Sequence, residues 1–208
     1  MKSSIPLLYQ QYHIDKNDER LGLFTLLDKN FTIKSALYPG SFVHITPSFV
    51  LPLVVYVDNF PQTNDFFSDP EVYDYIDQRK LYVDKPVIRF HQKDYRSDIG
   101  ESVESFDLLI SQYAGFVSQF CIQYLKLNGL LLVNNSHGDA SMASIDDRYE
   151  FIGVLNKRRD KFTHSNTNLD SYFIPKKALE VTKEYLQAIQ RGIGYTKSAS
   201  SYLFRRIK

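Results

Sequence analysis

The sequence predicts an α/β fold with a doubly wound, mostly parallel sheet and helices on both faces. Short apolar runs of strand length alternate with helical segments along most of the chain. Residues 130–133 are apolar at every position, which is typical of a parallel strand covered on both faces. Within residues 35–58, two further runs flank a turn containing Gly40, and the second run ends in Asp58. A glycine turn after one strand and an acid after the next are typical of nucleotide-binding folds.

The composition favours one domain spanning residues 1–208, with residues 1–30 as an N-terminal helical segment that packs on it. The chain has 208 residues, 43% of them hydrophobic, which is enough for one core. A formal charge of +1 gives no strong general field toward nucleic acid or membrane. Cys121 is the single cysteine, so an internal disulfide and a cysteine metal site are excluded, and no metal is predicted.

The sequence is expected to be that of a soluble, cytoplasmic protein. The apolar run near its start is too short and too soon interrupted for a signal peptide, and no stretch approaches the ~20 apolar residues of a membrane span. The single cysteine is consistent with a reducing compartment.

The first 30 residues predict an amphipathic helix, residues 9–30, that leads into the first strand. Leu21, Phe24 and Leu27 recur at helical spacing behind a polar group at residues 15–20. His13 and Asp15 are open to two interpretations: they take part in a ligand pocket covered by this helix, or they belong to a solvated polar face. Charge runs favour the second.

Seven strands and three further helical regions are predicted after this segment. The strands cover residues 36–38, 54–57, 86–91, 106–111, 130–133, 149–155 and 201–206. Pro47 and Pro52 exclude one long helix in the first connection, although a short turn near residues 46–50 is allowed. The first helical region lies in residues 59–80, with apolar positions between Phe66 and Ile76 and a break at Asp69-Pro70, where Asp69 is the cap and Pro70 lies in the first turn. The other two cover residues 112–127, ended by Asn128-Gly129, and 175–189.

Polar residues follow several of these strands, where ligands bind in open α/β sheets. Asp94 comes just after the third strand and either holds an adenine amino group or caps a loop. Residues 134–139 are the most polar cluster after any strand, and Asn134, His137 and Asp139 are its candidate catalytic residues. The same composition also suits an ordinary turn.

Two other groups of residues have a structural interpretation beside a functional one. Cys121 has no identified histidine partner and is expected to be a buried apolar residue rather than a nucleophile. A basic stretch follows the sixth strand: Lys157, Arg158, Arg159 and Lys161. It either contacts phosphates or forms part of a solvated loop, and the second is favoured.

The order of elements resembles that of the class I S-adenosylmethionine-dependent methyltransferases. The resemblance is closest at residues 106–134, where FDLLIS, a helix and YLKLNGLLLVN resemble the family's fourth strand, following helix and LKPGGLLLV fifth strand. Order and spacing match over residues 21–206, and Gly40 and Asp58 lie 58 − 40 = 18 residues apart. The resemblance implies a seven-stranded Rossmann-like sheet, mostly parallel with the last strand antiparallel, and S-adenosylmethionine as cofactor.

The resemblance also implies a set of cofactor-binding residues. Asp58 would bind the ribose, Asp94 the adenine, and Ser111 and Tyr113 would flank the sulfonium and the methyl group. The residues along the methionine portion would be Tyr38, Pro39, Gly40 and Ser41.

The sequence departs from the family pattern at two places. The first motif of the family, G-x-G-x-G, retains only Gly40, with Phe42 and His44 in the following positions, and a side chain there can block close backbone approach. Ser111-Gln112-Tyr113-Ala114 has neither a D/N-P-P-Y/F signature nor a Pro-Cys pair. These absences weigh against DNA amino-methylating enzymes and against cytosine C5 methylation.

Two hypotheses of function follow, with a third ranked below them. The first is an S-adenosylmethionine-dependent methyltransferase of unknown acceptor, a small molecule or protein being favoured over nucleic acid. The alternative is a methyltransferase-like binding or assembly module without catalysis. A nicotinamide-dependent oxidoreductase ranks lower because G-x-G-x-x-G is missing. Tyr and Phe, 15 of each, supply enough aromatic surface for a homodimer as well as a core.

Overall fold

The structure is a computed structural model that describes residues 5–159 and 161–208. The chain forms two compact units. The first unit is Met1–Ile99 and the second is Gly100–Lys208. That residues 1–208 form one domain stays a prediction. Residues 1–4 of the predicted N-terminal segment lie outside the described residues.

The first unit is built on three parallel strands. These are β1 (Ser35–Pro39), β2 (Leu53–Val57) and β3 (Val87–His91). β2 pairs with both neighbours in register, so that Pro39 lies opposite Val57 and Val57 lies opposite His91. The three strands therefore end at the same level, and the residues that follow them meet at one edge.

Helices flank these strands, and the last of them begins with the predicted cap. They are α1 (Leu7–Tyr9), continued by a π-helical turn (Gln10–Ile14), then α2 (Leu21–Asn30), a 3₁₀ turn (Thr46–Phe49), α3 (Pro61–Ser68) and α4 (Pro70–Arg79). The Asp69 side chain accepts a hydrogen bond from the Glu71 amide at 2.9 Å, directly before Pro70. The predicted cap and proline start of this helix are confirmed.

The prediction of one helix over residues 9–30 is wrong. Asn17 and Arg20 have φ of 52° and 58°, a left-handed conformation that ends a right-handed helix. Instead, the segment before α2 is fixed by polar contacts. The buried Tyr9 hydroxyl contacts Glu19 Oε1 and Thr46 Oγ1, both at 2.8 Å, and Arg79 Nη1 donates to Glu19 Oε1 at 2.5 Å.

The second unit contains five strands. They are β4 (Phe106–Ser111), β5 (Leu125–Val133), β6 (Tyr149–Arg158), β7 (Lys161–Ser165) and β8 (Ser201–Arg206), in the order β4-β5-β8-β6-β7. β4 and β5 are parallel, and β8 is antiparallel to both β5 and β6. The predicted α/β class, with parallel strands and an antiparallel last strand, is confirmed.

The described residues contain eight strands rather than the predicted seven. β7 falls in the segment predicted to be a polar loop, where it forms a hairpin with β6 that pairs Arg158 with Lys161. The hairpin carries the basic stretch, with Lys157, Arg158 and Lys161 exposed. Backbone pairing with an exposed strand needs no apolar sequence, so composition alone does not reveal it.

Two helix predictions in the second unit are also wrong. The helical part of residues 112–127 is limited to α5 (Val117–Phe120) and a 3₁₀ turn (Ile122–Tyr124). The chain enters β5 at Leu125, which pairs with Phe106 of β4. Asn128 has φ of 65° inside that strand and does not end a helix. The helix that was predicted to begin at Pro175 begins only at Lys183; it is α7 (Lys183–Ile189), and Thr182 caps its start.

The remaining elements of the second unit are short and lie against buried strands. They are α6 (Asp139–Ser144) and a 3₁₀ turn (Leu169–Ser171). Phe116, Met142 and Leu186 form a buried cluster that joins the start of α5 to α6 and α7. No helix in residues 5–159 and 161–208 is long and apolar enough to span a bilayer, the longest having ten residues.

Candidate functional site

The first candidate site lies where β1, β2 and β3 end in the first unit. Gly40 and Asp58 are the residues directly after β1 and β2, and register places them side by side. Gly40 has φ of 65° and donates its amide to Val57 O at 2.8 Å. The positive φ turns the chain away from β1 at the point where glycine is the residue with least strain.

The Asp58 carboxylate is held by two backbone amides. Oδ2 accepts from the Phe42 amide and Oδ1 from the Phe60 amide, each at 2.8 Å. An ionised carboxylate has about four acceptor positions, so each oxygen keeps capacity for one further donor. Asp58 is thus oriented by the backbone and retains acceptor capacity for two further donors.

A cavity of about 130 Å³ opens beside this carboxylate. Its lining comprises Gly40, Asp58, Asn59, Lys93, Asp94, Tyr95 and Arg96. Pockets that enclose a whole ligand of drug size typically have ~300–1,000 Å³, so this cavity has room for one part of such a ligand. Its position beyond the carboxyl ends of parallel strands is where ligands bind in α/β sheets.

Asp94 lies in this cavity but is already paired. Its carboxylate accepts from Arg96 Nε at 3.0 and 2.9 Å and from Nη2 at 2.5 Å, while Oδ1 also accepts the Arg96 amide at 2.9 Å. The hydrogen bonds from Arg96 lower the pKa of Asp94. The structure therefore places Asp94 as the cap of its own loop, and an adenine-binding role stays a prediction.

Phe42 does not line the cavity. Its ring packs edge-on against Tyr12, with centroids 4.9 Å apart, and against Phe60 at 5.6 Å. Its φ of 46° is a left-handed conformation that costs a bulky residue roughly 1–2 kcal/mol. The backbone at this position thus follows the course that a glycine would take, while the side chain joins an aromatic group with Tyr12 and Phe60.

The other residues of the first turn point into the interior. Tyr38 and Ser41 are buried, and the Tyr38 hydroxyl lies 3.1 Å from Nδ1 of the buried His44. His44 Nε2 contacts Glu19 O at 3.0 Å, and the His13 ring lies 4.4 Å away. Of the four residues predicted along the methionine portion, Gly40 is the one that borders the cavity; the role of Tyr38, Pro39 and Ser41 stays a prediction.

His13 and His44 form a neutral pair beneath this turn. Burial, followed by the charge of Arg20, lowers the pKa of His13 to about 4 and that of His44 well below its usual range. Two adjacent imidazoles that both resist protonation suit packing rather than acid catalysis. The solvated interpretation agrees with the exposed Asp15 but is wrong for His13, which is 7% exposed.

In the second unit, Ser111 and Asp139 belong to one buried polar network. Asp139 is 1% exposed and accepts hydrogen bonds from the hydroxyls of Ser111 and Ser118, each at 2.5 Å, and from the Ser118 amide at 3.1 Å. Burial raises the pKa of Asp139 to about 6, although these hydrogen bonds oppose the rise. Its position indicates that it holds α5 and α6 against β4.

Asn134 orders the polar loop after β5. Its Oδ1 accepts from the Ser136 hydroxyl at 2.8 Å and from the Tyr113 amide at 3.3 Å. Tyr113 has φ of 60° and is 59% exposed, and His137 is exposed with Nδ1 3.0 Å from Ser136 Oγ. Tyr113 and His137 are thus accessible to a ligand, while Cys121 is buried as predicted.

A close backbone contact fixes the same loop. A Cβ added to Gly192 would lie 1.8 Å from Asn135 O, a distance that no side chain tolerates. The Gly192 amide also donates to Ser136 O at 3.3 Å, and Asn135 Nδ2 donates to Ile193 O at 3.2 Å. Residues 191–193 and the loop 134–138 are therefore in direct contact.

Replacing Gly192 by alanine is expected to destabilise the fold by about 2 kcal/mol, since the backbone must shift to relieve overpacking. Urea denaturation followed by circular dichroism measures the change. Gly194→Ala is the matched control, because the nearest atom to its added Cβ, Lys176 Cδ, lies at 3.9 Å. Equal stability of the two variants would contradict the proposed contact.

Comparison with known proteins finds similarity in structure alone. No protein-family model matches the chain, and no curated protein sequence matches it. A methyltransferase from Geobacter sulfurreducens is 12% identical, over 100% of this chain and 92% of that one, with a TM-score of 0.48. The N-methyltransferase NodS from Bradyrhizobium japonicum is 10% identical, over 96% and 99%, with a TM-score of 0.48.

A third solved structure matches over a shorter part. The YcgJ protein from Bacillus subtilis is 17% identical over 58% of this chain, with a TM-score of 0.39. This chain spans 54% of that protein's length. The two proteins above are methyltransferases, and these similarities concern the fold alone.

Proposed function

We propose that this protein is an S-adenosylmethionine-dependent methyltransferase that acts on a small molecule or a protein. The observation that carries the proposal is Asp58, whose carboxylate is oriented by two backbone amides and retains acceptor capacity beside Gly40 and a cavity. A pair of ribose hydroxyls is the ligand group that such an acceptor fits.

The residues at the ends of β1 and β2 fit the nucleoside part of this cofactor. Gly40 lets the backbone approach the ligand, and Asp58 would hold the ribose. S-adenosylmethionine, when bound, supplies an activated methyl group, so the protein has mainly to hold the acceptor in line with it at about 3–3.5 Å. This chemistry does not depend on a general base, which agrees with the burial of Asp139.

Calorimetric titration with S-adenosylmethionine and S-adenosylhomocysteine tests the proposal. We expect both to bind, and transfer of a radioactive methyl group to an extract of small molecules or proteins would then identify the acceptor class. Absence of both heat and a thermal shift with either ligand would overturn the proposal.

A methyltransferase-like binding module without catalysis is the second candidate. Its supporting observations are Phe42, which stands at a glycine position of the motif, and Asp94, which is paired with Arg96. In this case the wild-type protein would bind neither ligand.

Phe42→Gly separates the two candidates. Glycine removes the left-handed strain and the aromatic contacts with Tyr12 and Phe60, so the variant tests whether a side chain at this motif position hinders the approach to Gly40. We expect a methyltransferase to bind S-adenosylhomocysteine before the substitution and up to a few times more tightly after it, by calorimetry. Binding that appears only in the variant would support the module.

A further inference from the structure

A larger cavity, of about 430 Å³, lies entirely within the second unit. Its size is within the range of ~300–1,000 Å³ that is typical of pockets for small molecules. Three cationic residues line it, Lys176, Lys177 and Arg191, together with an apolar wall that includes Leu179, Tyr185 and Ile189. From its sequence this segment is predicted to be a helix, with no further role.

The walls of this cavity are anchored on both sides. On one side, Pro175 forms an antiparallel bridge with Tyr195, and the Lys176 amide donates to Gly194 O at 2.9 Å. On the other side, α7 is fixed by Leu186, which is completely buried against the cluster of Phe116 and Met142. The cavity is therefore part of the folded second unit, because both of its walls are held by backbone or core contacts.

All charged residues that line the cavity are cationic. No acidic residue lines the cavity, and within residues 5–159 and 161–208 its three cations form no ion pair. Cations concentrated around a concave surface raise the local concentration of anions. Carboxylates and phosphates form charge-assisted hydrogen bonds with such residues.

The rest of the lining is apolar and partly uncovered. Leu179 and Tyr185 are 36% and 37% exposed, and the aliphatic stem of Lys176 lies over Gly194. A ligand that satisfies both parts of the cavity has an apolar body and an anionic group. The rim also meets the polar loop after β5, through the Gly192 amide and Ser136 O.

We propose that this cavity binds a small organic acid, an apolar body that carries a carboxylate or a phosphate. The proposal stands on the cavity alone and is independent of the proposed function, whose candidate site lies in the first unit.

The experiment compares three probes that share one apolar body: 4-phenylbutyrate, 4-phenylbutyl phosphate and the neutral 4-phenylbutanol. Calorimetry at low salt, without cofactor, is expected to show at least one acid binding tenfold or more tightly than the alcohol. Tighter binding of the first acid identifies a carboxylate ligand, and tighter binding of the second identifies a phosphate ester.

Variants locate the binding. Arg191→Ala, and Lys176→Ala combined with Lys177→Ala, are each expected to weaken acid binding about tenfold, the loss of roughly one charge-assisted contact. Lys183→Ala is the control, since Lys183 is exposed on α7 and does not line the cavity. Binding of neither acid, binding of the alcohol as tight as that of the acids, or equal losses in the control would overturn the inference.

The same titrations distinguish this inference from the proposed function. If the acids bind and S-adenosylmethionine does not, the inference stands and the methyltransferase proposal fails. If S-adenosylmethionine binds and the acids do not, the inference fails and the proposed function stands.

Discussion

Replacement of Asp58 by alanine is expected to weaken S-adenosylhomocysteine binding about a hundredfold. The wild-type carboxylate would accept two hydrogen bonds from the ribose, and bonds to a charged group contribute ~1.5–3 kcal/mol each. The two amides that orient it, from Phe42 and Phe60, already hold it at 2.8 Å, so little ordering is needed when the ligand binds. Calorimetric titration of the purified variant measures the loss.

Two further variants separate binding from folding in this experiment. Asp58→Asn keeps one acceptor oxygen and is expected to lose about tenfold in affinity, because the charge and the second acceptor are gone. Asp74→Ala removes an exposed acid from α4 and is expected to bind as the wild type does. If Asp58→Ala binds the ligand with unchanged affinity, the assignment of Asp58 to the ribose is wrong.

The sequence allowed the start of the first unit to be predicted because its signals are local. Gly40 and Asp58 stand directly after the short apolar runs 36–39 and 54–57, and the structure pairs those runs in register. Asp69 and Pro70 are likewise a cap and a first turn that two neighbouring residues define. Such features depend on the residues themselves and little on the rest of the chain.

The helix predicted over residues 112–127 failed because a distant partner decided the outcome. Phe116, Phe120 and Tyr124 recur every four residues, as in an amphipathic helix. Yet Leu125 pairs with Phe106 in the adjacent strand, and this pairing begins β5 five residues before the apolar run that marks it in the sequence. Propensity is a weak guide where strand pairing competes with it.

The candidate site could be predicted in position but less well in the state of its side chains. Asp94 was found because it follows a strand, whereas its bidentate contact with Arg96 depends on a loop conformation. That an acid and an arginine stand two residues apart was the only available signal. Similarly, the polarity of residues 134–139 suggested an accessible catalytic group, but tertiary packing buries Asp139 and leaves His137 exposed.

Asp139 is expected to make the fold less stable as pH rises from about 4 to about 6. Its pKa is about 6 in the folded protein against 3.8 for the ordinary side chain, because burial disfavours the charged form. The folded state therefore holds the proton more tightly than the unfolded state between these values, and stability falls with rising pH in that window and is level above it. The contribution lost between pH 4.5 and pH 7.5 is about 2 kcal/mol.

Comparison with Asp139→Asn isolates this effect from the other groups that titrate. Nearby, hydrogen bonds from Arg148 and Gln119 overcome burial and hold the pKa of Asp146 at about 2, and burial raises the pKa of Tyr149, so neither changes charge between pH 4.5 and 7.5. Urea denaturation at pH 4.5 and at pH 7.5 should show that the stability of the wild type relative to Asp139→Asn falls by about 2 kcal/mol.

Asp139→Ala should instead be less stable than Asp139→Asn at both pH values, since the hydroxyls of Ser111 and Ser118 lose their acceptor. A difference between wild type and Asp139→Asn that is independent of pH would mean that Asp139 does not take up its proton in the buried state, and the network would then hold a charged carboxylate throughout.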